Sequence, residues 1–279
     1  MGPEFSTQKP ETKLIQRKMP VDEMDIIKDV KSGVIKKIVM LTGPEVSLAS
    51  SFPDIHSFSK QCVDLISGDI PYPEAFLTKT YYSKSPQILN DLVRRILGHS
   101  YNPNAVHKFI KDMEDKKLLV KNYTACIDNL QIKAGSSPSL IIQFNGNIED
   151  GYCDECKKNV LTESYLGAIK NGEELKCTEC KNVVRPRITL LGEAYSKELA
   201  NCAKNIRNSD LLIIIGASSL PIPISNMISY ATEATPRLFI GESMPELKRM
   251  NKRDGDIFLT GDILSIIKDL SIKLDEIPK

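Results

Sequence analysis

The sequence predicts an α/β fold: a doubly wound, Rossmann-like parallel sheet forms a large domain that carries a smaller domain. Two observations predict it. Short runs of continuous apolar residues recur along the chain, and such runs indicate strands that are covered on both faces, as in parallel sheets. Helix-like stretches lie between the runs, which is the alternation of doubly wound folds.

Seven apolar runs are the predicted strands. They span residues 34–41, 118–123, 140–144, 188–191, 211–215, 238–240 and 257–259. A crossover helix is predicted for residues 196–208, because Leu199, Cys202 and Ile206 recur there at helical spacing. The alternation does not fix the order of the strands in the sheet.

Two stretches interrupt the alternation and predict the smaller domain. Residues 58–99 are helix-like, but Pro71 and Pro73 break any helix near them because proline lacks the backbone donor. Residues 151–187 hold two pairs of cysteines and the turn signal Asn171-Gly172. We therefore expect a helical insertion and a second, cysteine-bearing insertion.

Four of the seven cysteines form two Cys-x-x-Cys pairs separated by about twenty residues. They are Cys153, Cys156, Cys177 and Cys180. This spacing predicts a tetrahedral Zn²⁺ bound by four thiolates in a reducing compartment. A closed four-thiolate shell has no open position for a substrate, so the zinc is expected to be structural.

The predicted domains follow from these insertions. Residues 1–30 are a tag-derived and polar N-terminal segment, 31–57, 100–148 and 188–275 form the Rossmann-like domain, 58–99 are the helical insertion, and 149–187 are the zinc-binding module. The first six residues resemble a remnant of cloning and carry no weight in the fold.

The charge balance argues against some classes of partner. Lys and Arg number 37 against 36 Asp and Glu, so no nucleic-acid or membrane surface is indicated. No apolar run approaches the roughly 18 to 20 residues of a membrane span, and no basic-then-apolar leader opens the chain. We expect an intracellular protein, nuclear or cytoplasmic.

Several motifs carry a family resemblance from about residue 34 to residue 270. In chain order they are Val39-Met-Leu-Thr-Gly43, Tyr123-Thr-Ala-Cys-Ile-Asp128, Asn145-Gly146, the two cysteine pairs, Leu191-Gly-Glu193 and Ile213-Ile-Ile-Gly-Ala-Ser218. In this order the chain resembles the sirtuins, the NAD-dependent protein deacylases. Pro71-Tyr-Pro-Glu-Ala-Phe76 further resembles the eukaryotic nuclear and cytoplasmic deacetylase branch.

The resemblance implies a dinucleotide-binding domain, a zinc-bearing domain and a cleft between them. The positions that it implies for the cofactor are Gly43, Ser47, Ile127, Asp128, Gly216 and Ser218. It also implies that an acyl-lysine peptide lies as an extra strand against Leu191, Gly192 and Glu193, with residues 219–223 on its other side.

Asn145 stands where the resemblance implies a catalytic base. In the family mechanism, the acyl oxygen attacks the nicotinamide ribose, and a histidine then removes a proton from the ribose hydroxyls. An amide can hold a hydroxyl by hydrogen bonding but cannot accept its proton. Loss of a general base typically lowers the rate by about two to four decades.

The cofactor loop also departs from the family. The family sequence Gly-Ala-Gly-Ile-Ser is here Gly43-Pro44-Glu45-Val46-Ser47. Pro44 removes one N–H from an anion site, and Glu45 introduces a carboxylate. Two like charges about 4 Å apart at an effective dielectric near 20 repel by about 4 kcal/mol, or about three decades of affinity. Alternatively, Thr42-x-x-Glu45 predicts a capping box in which the carboxylate occupies the helix N-terminus itself.

Other departures point the same way. The family's Gln-Asn-Ile-Asp is Ala125-Cys126-Ile127-Asp128, and residues that the family keeps for the cofactor are replaced by His56, Ala217 and Gly241. One change at Asn145 alone would fit an engineered trap for a substrate complex. Joint losses fit a relaxed demand for NAD better.

The leading hypothesis is a zinc-bound sirtuin-fold pseudoenzyme in which NAD-dependent lysine deacylation is absent or strongly reduced and NAD binding is doubtful. It would act as a binding or scaffold subunit for a protein or peptide partner, such as an acyl-lysine peptide or an active relative. One alternative is a slow but active NAD-dependent deacetylase or ADP-ribosyl transferase. A second is a binding module for another small ligand, anchored by Ile127 and Asp128.

Overall fold

A six-stranded parallel sheet forms the centre of the large domain in the computed structural model, which describes residues 18–53, 75, 77–195, 197–246 and 250–276. Its strands are β1 (Ile38–Thr42), β2 (Leu119–Thr124), β3 (Ile141–Gln143), β7 (Leu211–Ile215), β8 (Arg237–Gly241) and β9 (Asp256–Thr260). They pair in the order β3-β2-β1-β7-β8-β9. The predicted doubly wound α/β class is confirmed.

The strand order creates a crevice above the middle of the sheet. The chain first moves outward from β1 to β3 and later returns to β7, which pairs with the other side of β1. Connections leave β1 and β7 in opposite directions, and ligands of open α/β sheets bind at the carboxyl ends of two such strands. Thr42 and Ile215 are the paired residues at this point.

Helices cover both faces of the large sheet. The described α-helices are α1 (Glu23–Lys31), α2 (Glu45–Leu48), α3 (Lys79–Tyr82), α4 (Pro86–Leu97), α5 (Ala105–Asp115), α6 (Leu130–Lys133), α7 (Thr162–Asn171), α8 (Cys202–Arg207), α9 (Ile224–Ile228) and α10 (Ile263–Asp275). Helices α1, α5 and α10 share one core with Met40 of β1, whereas α8 and α9 share another with Val39 and Leu41. None of the described helices is long and apolar enough to cross a membrane.

The predicted crossover helix is present in two parts. A 3₁₀ helix spans Lys197–Asn201, and α8 continues from it over Cys202–Arg207. Cys202 and Ile206 are buried, as their helical spacing predicts.

The smaller domain is built on a three-stranded antiparallel sheet. Its strands are β4 (Gly146–Cys153), β5 (Asn159–Val160) and β6 (Val184–Ile188), in the order β5-β4-β6. Helices α4 and α7 bury Leu92, Ile96 and Tyr165 in one cluster with Val184 of β6. The helical insertion and the cysteine module therefore share a single core, although the domain boundaries themselves remain a prediction.

The predicted strand at 188–191 is wrong in extent and in place. The strand is Val184–Ile188, and it belongs to the antiparallel sheet rather than to the parallel one. Because Arg185 and Arg187 interrupt its apolar residues, the strand was not recognised as an apolar run. The guanidinium of Arg185 is buried because two carboxylates accompany it. The predicted break at Pro71 and Pro73 lies outside the described residues.

Candidate functional site

Two glycines bring the loops after β1 and β7 into direct contact. The backbone N–H of Gly43 donates to Ile215 O at 2.9 Å. A Cβ on Gly43 would lie 2.2 Å from the carbonyl oxygen of Gly216, and Gly216 has a positive φ of 63°. Neither position tolerates a side chain, because the backbones leave no room for one.

Glu45 reaches across this contact. Its carboxylate accepts the backbone N–H of Ser218 at 2.7 Å and the hydroxyl of Ser218 at 3.1 Å. The predicted capping box is wrong, because α2 begins after Pro44 and has no side-chain cap. The hydroxyl of Thr42 instead contacts Asn122 Oδ1. The protein still supplies an anion of its own at the crevice, but the group that binds it is Ser218.

Ser218 uses its remaining polar groups within the chain. Its carbonyl oxygen accepts the N–H of Glu246 at 3.0 Å, and its hydroxyl lies 3.2 Å from Ser243 O. A Cβ on Gly241, at the end of β8, would lie 2.5 Å from the same hydroxyl. The cavity between these residues and β9 has about 10 Å³, which is room for about one water molecule.

The floor of the crevice joins two of the predicted cofactor residues. Asp128 accepts the hydroxyl of Ser47 at 2.6 Å and the N–H of Leu130 at 2.8 Å, and it is buried. Cys126 lies beside them and donates to Gly43 O at 3.3 Å. Burial raises the pKa of its thiol to about 12, so Cys126 is not a nucleophile at neutral pH.

Asn145 lies at the inner wall of a larger cleft. Its side-chain N–H donates to Ala125 O at 3.1 Å, and its backbone carbonyl accepts the N–H of Thr189 at 2.9 Å. The side chain is half-buried and lines the cleft with Ile127. The side-chain amide holds the chain at Ala125 and has no basic character.

This cleft, about 630 Å³ in volume, runs between the two domains. We call it the interdomain cleft. Its described lining residues are Pro44, Glu45, Ser47, Leu48, Phe52, Pro53, Leu77, Ala125, Cys126, Ile127, Asn145, Ile188, Thr189, Leu190, Leu191, Gly192, Glu193, Tyr195, Ser219, Pro221 and Ile222. Leu48, Leu191, Tyr195 and Ile222 are exposed large hydrophobic residues at its rim. All three residues predicted for a peptide line this cleft, together with Ser47 and Ile127 of the residues predicted for the cofactor. The other predicted cofactor residues are not among its lining: Gly43, Asp128, Gly216 and Ser218.

Hydrogen bonds to the protein core fix the segment that is predicted to bind a peptide. Leu191 is exposed, and its N–H donates to Leu77 O at 2.8 Å. Gly192 has a φ of 91°. The carboxylate of Glu193 turns inward, accepting from Arg185 at 2.8 Å and from Leu190 N–H at 2.9 Å. Leu191 and Gly192 face the interdomain cleft, whereas Glu193 positions the segment.

Arg185 is a positioning residue that the sequence did not reveal. Its side chain is 3% exposed and is paired with Asp154 as well as Glu193. The rings of Tyr82 and Tyr152 lie on it at 5.6 and 5.4 Å from their centroids, within cation–π range. The signal available in the sequence was Val184-Arg-Pro186 beside the cysteine module, but not the partners of the arginine.

The four paired cysteines converge as predicted. Their sulfur atoms all lie within 4.8 Å of one another. The Cys153–Cys180 and Cys156–Cys177 sulfur distances are 3.4 and 3.5 Å, close to the roughly 3.8 Å separation of sulfurs on a tetrahedral zinc with 2.3 Å bonds. The cluster fits a structural zinc ion.

The two cysteine turns have the same backbone. Lys157 and Lys181, each four residues after the first cysteine of its pair, have φ values of 61° and 63°. Backbone N–H groups of Cys180 and Glu179 lower the pKa of Cys177 to about 6. Because the thiolate is the metal-binding form, this arrangement favours zinc.

The Rossmann-like sheet, the four-cysteine module and the interdomain cleft define a dinucleotide-fold protein with a structural zinc module. The chain belongs to the Sir2 family: the family model described as "Sir2 family" matches residues 43–223. The resemblance predicted from the motifs is therefore confirmed.

Relatives carry enzymatic names. The chain is 33% identical over 221 residues to the NAD-dependent deacetylase sir2A of Dictyostelium discoideum, covering 77% of this chain and 43% of that protein. It is 28% identical over 243 residues to the NAD-dependent protein deacetylase hst2 of Schizosaccharomyces pombe, with 86% and 73% covered. It is 30% identical over 215 residues to the NAD-dependent protein deacetylase sirtuin-2 of Danio rerio, with 76% and 57% covered. The match thus spans less than half the length of sir2A.

Proposed function

We propose that this chain is a sirtuin-fold pseudoenzyme that binds a protein segment in the interdomain cleft and performs little or no NAD-dependent deacylation. The carboxylate of Glu45 on the N–H of Ser218, at 2.7 Å, carries the proposal. Ser218 follows β7, one of the two strands whose carboxyl ends form the crevice in which such folds bind dinucleotides, and its backbone N–H is a donor at that crevice. A side chain of the protein already occupies this donor.

Three further features support the loss of turnover. Pro44 has no N–H to offer at the start of α2. Asn145 cannot act as a base. The cavity beyond Ser218, toward β8 and β9, has about 10 Å³, which is room for about one water molecule. Pro44 and the small cavity bear on NAD binding, whereas Asn145 bears on the later proton transfer.

Titration calorimetry with NAD and with ADP-ribose tests the binding half. We expect no heat of binding up to millimolar ligand. The Pro44→Ala/Glu45→Gly variant restores the family loop Gly-Ala-Gly, removes a repulsion of about 4 kcal/mol, and is expected to raise NAD affinity by up to about three decades. Zinc content and thermal melting show whether each variant is folded.

Nicotinamide release tests the catalytic half. We expect no nicotinamide above background from the unchanged protein with NAD and acetyl-lysine peptides. We expect deacetylated peptide, the product of the later base-dependent step, when Asn145→His is added to the loop variant. Release by the unchanged protein, abolished by Asp128→Asn with zinc retained, would contradict the proposal. Asp128 is the right probe because it is buried beneath the crevice and bonded to Ser47.

One observation favours a slow but active deacylase or ADP-ribosyl transferase as the second candidate. The interdomain cleft stays open, at about 630 Å³, beside Asn145 and Ile127, and the relatives are named NAD-dependent deacetylases. Such an enzyme must bind NAD or ADP-ribose at millimolar affinity or better, which the same calorimetry measures. A thermal-shift screen of metabolites tests the remaining candidate, a module for a different small ligand anchored at Ile127 and Asp128.

A further inference from the structure

The interdomain cleft has an unusual charge pattern. Among its described lining residues, Glu45 and Glu193 carry the only formal charges, and neither lysine nor arginine lines it. Glu193 is paired with Arg185. In the described part of the chain, Glu45 makes no ion pair and accepts from one residue, Ser218. A carboxylate has about four acceptor sites, so Glu45 can accept from a cationic guest as well.

Most of the other described lining residues are apolar, and the uncharged polar ones include Ser47, Asn145, Thr189 and Ser219. Leu48, Phe52, Leu77, Ile127 and Ile188 contribute hydrocarbon surface between the rim and the floor. A guest that matches both properties has an aliphatic stem and a positive end. Among the described lining residues, an anionic guest, phosphate included, meets the carboxylate of Glu45 and no lysine or arginine.

We propose that the cleft binds the side chain of an unmodified lysine in a partner protein, with Glu45 as its counter-ion. This inference rests on the proposed function, a cleft that binds protein without turning over NAD. It names the side chain that the cleft selects. A neutral acylated lysine gains nothing from Glu45, whereas the free ammonium gains a charge-assisted hydrogen bond.

The reach of a lysine fits the cleft. Ser219 follows Ser218 directly and lines the cleft together with Pro221 and Ile222. Consecutive Cα atoms lie about 3.8 Å apart, so a partner strand beside this segment runs close to the carboxylate of Glu45. The four-carbon stem of lysine spans about 6 Å from Cα to Nζ, enough to bring the ammonium to that carboxylate.

The hydrogen bonds of Glu45 favour lysine over arginine. Both of its oxygens already accept from Ser218, one from the N–H and one from the hydroxyl. The planar guanidinium binds a carboxylate best through two parallel hydrogen bonds, one to each oxygen. An ammonium is a point charge that needs one free lone pair.

The test compares three peptide pools that differ at one fixed central residue: lysine, acetyl-lysine or norleucine, which keeps the stem and lacks the charge. Fluorescence anisotropy is measured with the full, zinc-loaded chain and without NAD. We expect the lysine pool to bind about tenfold more tightly than either other pool, a difference of about 1.4 kcal/mol. The preference should weaken as salt is raised, because the pair is partly exposed to solvent.

Two variants assign the preference to its residue. Glu45→Gln keeps an oxygen for Ser218 but removes the charge, and it should abolish most of the preference for lysine. Glu163→Gln removes an exposed carboxylate on α7, away from the cleft, and should leave the preference intact. Zinc content and melting temperature verify the fold of both.

The outcomes separate this inference from the function on which it rests. Equal binding of the three pools, tighter binding of acetyl-lysine, or a lysine preference that survives Glu45→Gln overturns the inference and leaves peptide binding in the cleft intact. No binding of any pool overturns the inference and also counts against peptide binding in the proposed function. None of these outcomes restores NAD binding or nicotinamide release, by which the loss of enzymatic activity is judged.

Discussion

The four-cysteine module and the crevice between β1 and β7 differ in how well they are arranged to bind a ligand. In the module, four sulfurs converge within 4.8 Å of one another and both turns have the same backbone conformation. In the crevice, Glu45 of the chain itself occupies a donor, the N–H of Ser218. The difference teaches that one chain can keep a full ligand set for a structural metal while a carboxylate of its own takes a backbone donor at the crevice.

The largest expected effect is on the module. Cys177→Ser removes one thiolate from a closed shell, and zinc binding is folding free energy in such modules. We expect bound zinc to fall from one equivalent toward zero and the unfolding free energy to fall by several kcal/mol, measured by metal analysis and thermal unfolding. Thr178→Ser, an exposed change in the same turn, is the matched control. A zinc-free variant with unchanged melting would break the comparison.

Arg185→Met is expected to have the second-largest effect on stability. The arginine is 3% exposed, and its removal leaves Glu193 without its cation and Asp154 with only the exposed Lys157. Breaking a buried ion pair typically costs about 3 to 5 kcal/mol, so urea denaturation should show a loss of that order. Lys158→Met breaks a pair in which both side chains are 57% exposed and should change stability by about 0.5 kcal/mol or less. Equal losses of unfolding free energy in the two variants would mean that the carboxylate of Glu193 becomes solvated once Arg185 is removed.

Glu45→Ala tests whether the crevice is stabilised by its own carboxylate. Hydrogen bonds to charged groups contribute about 1.5 to 3 kcal/mol, and less where water competes. Since Glu45 is half-buried, we expect a loss of about 1 to 2 kcal/mol in the unfolding free energy, and a smaller loss for Glu45→Gln. An alanine variant more stable than the parent would identify Glu45 as strained, as residues kept for a ligand often are.

The sequence was informative where the contacts are local or strongly patterned. The apolar run of β7 predicted a strand buried on both faces, and the cysteine spacing predicted the metal cluster. It failed where a residue depends on distant partners. β4 (Gly146–Cys153) has the composition of a turn and becomes a strand by pairing with β6. Glu45 was expected to cap its own helix, but its partner Ser218 is 173 residues away.

Asp128 and Ser47 illustrate the same limit at the candidate site. The resemblance selected both residues, and the structure brings them to 2.6 Å from each other. Composition and periodicity alone select neither, because a buried aspartate and a serine in a loop have no pattern of their own. Their role in binding NAD stays a prediction that calorimetry decides.

The smallest expected effect concerns the helix behind the crevice floor. His107 lies near the start of α5, 2% exposed, with its Nδ1 in contact with Asn104. Burial lowers the pKa of His107 below its ordinary 6.5, and the nearby carboxylate of Asp128 opposes this only in part. Near pH 6.5 the imidazole of His107 is therefore protonated more readily in the unfolded chain than in the folded chain.

The stabilisation due to the neutral His107 is therefore complete above about pH 6.5. The unfolding free energy decreases as the pH falls from about 6.5 toward the lowered pKa of His107, by at most about 1.4 kcal/mol per pH unit. His107→Gln should flatten this slope in urea denaturation between pH 7 and pH 5 (roughly the titration range of histidine). His99→Gln replaces an exposed imidazole and should keep it. If both variants keep the slope, groups other than His107 produce it, and the polar floor of the crevice does not stabilise the neutral imidazole.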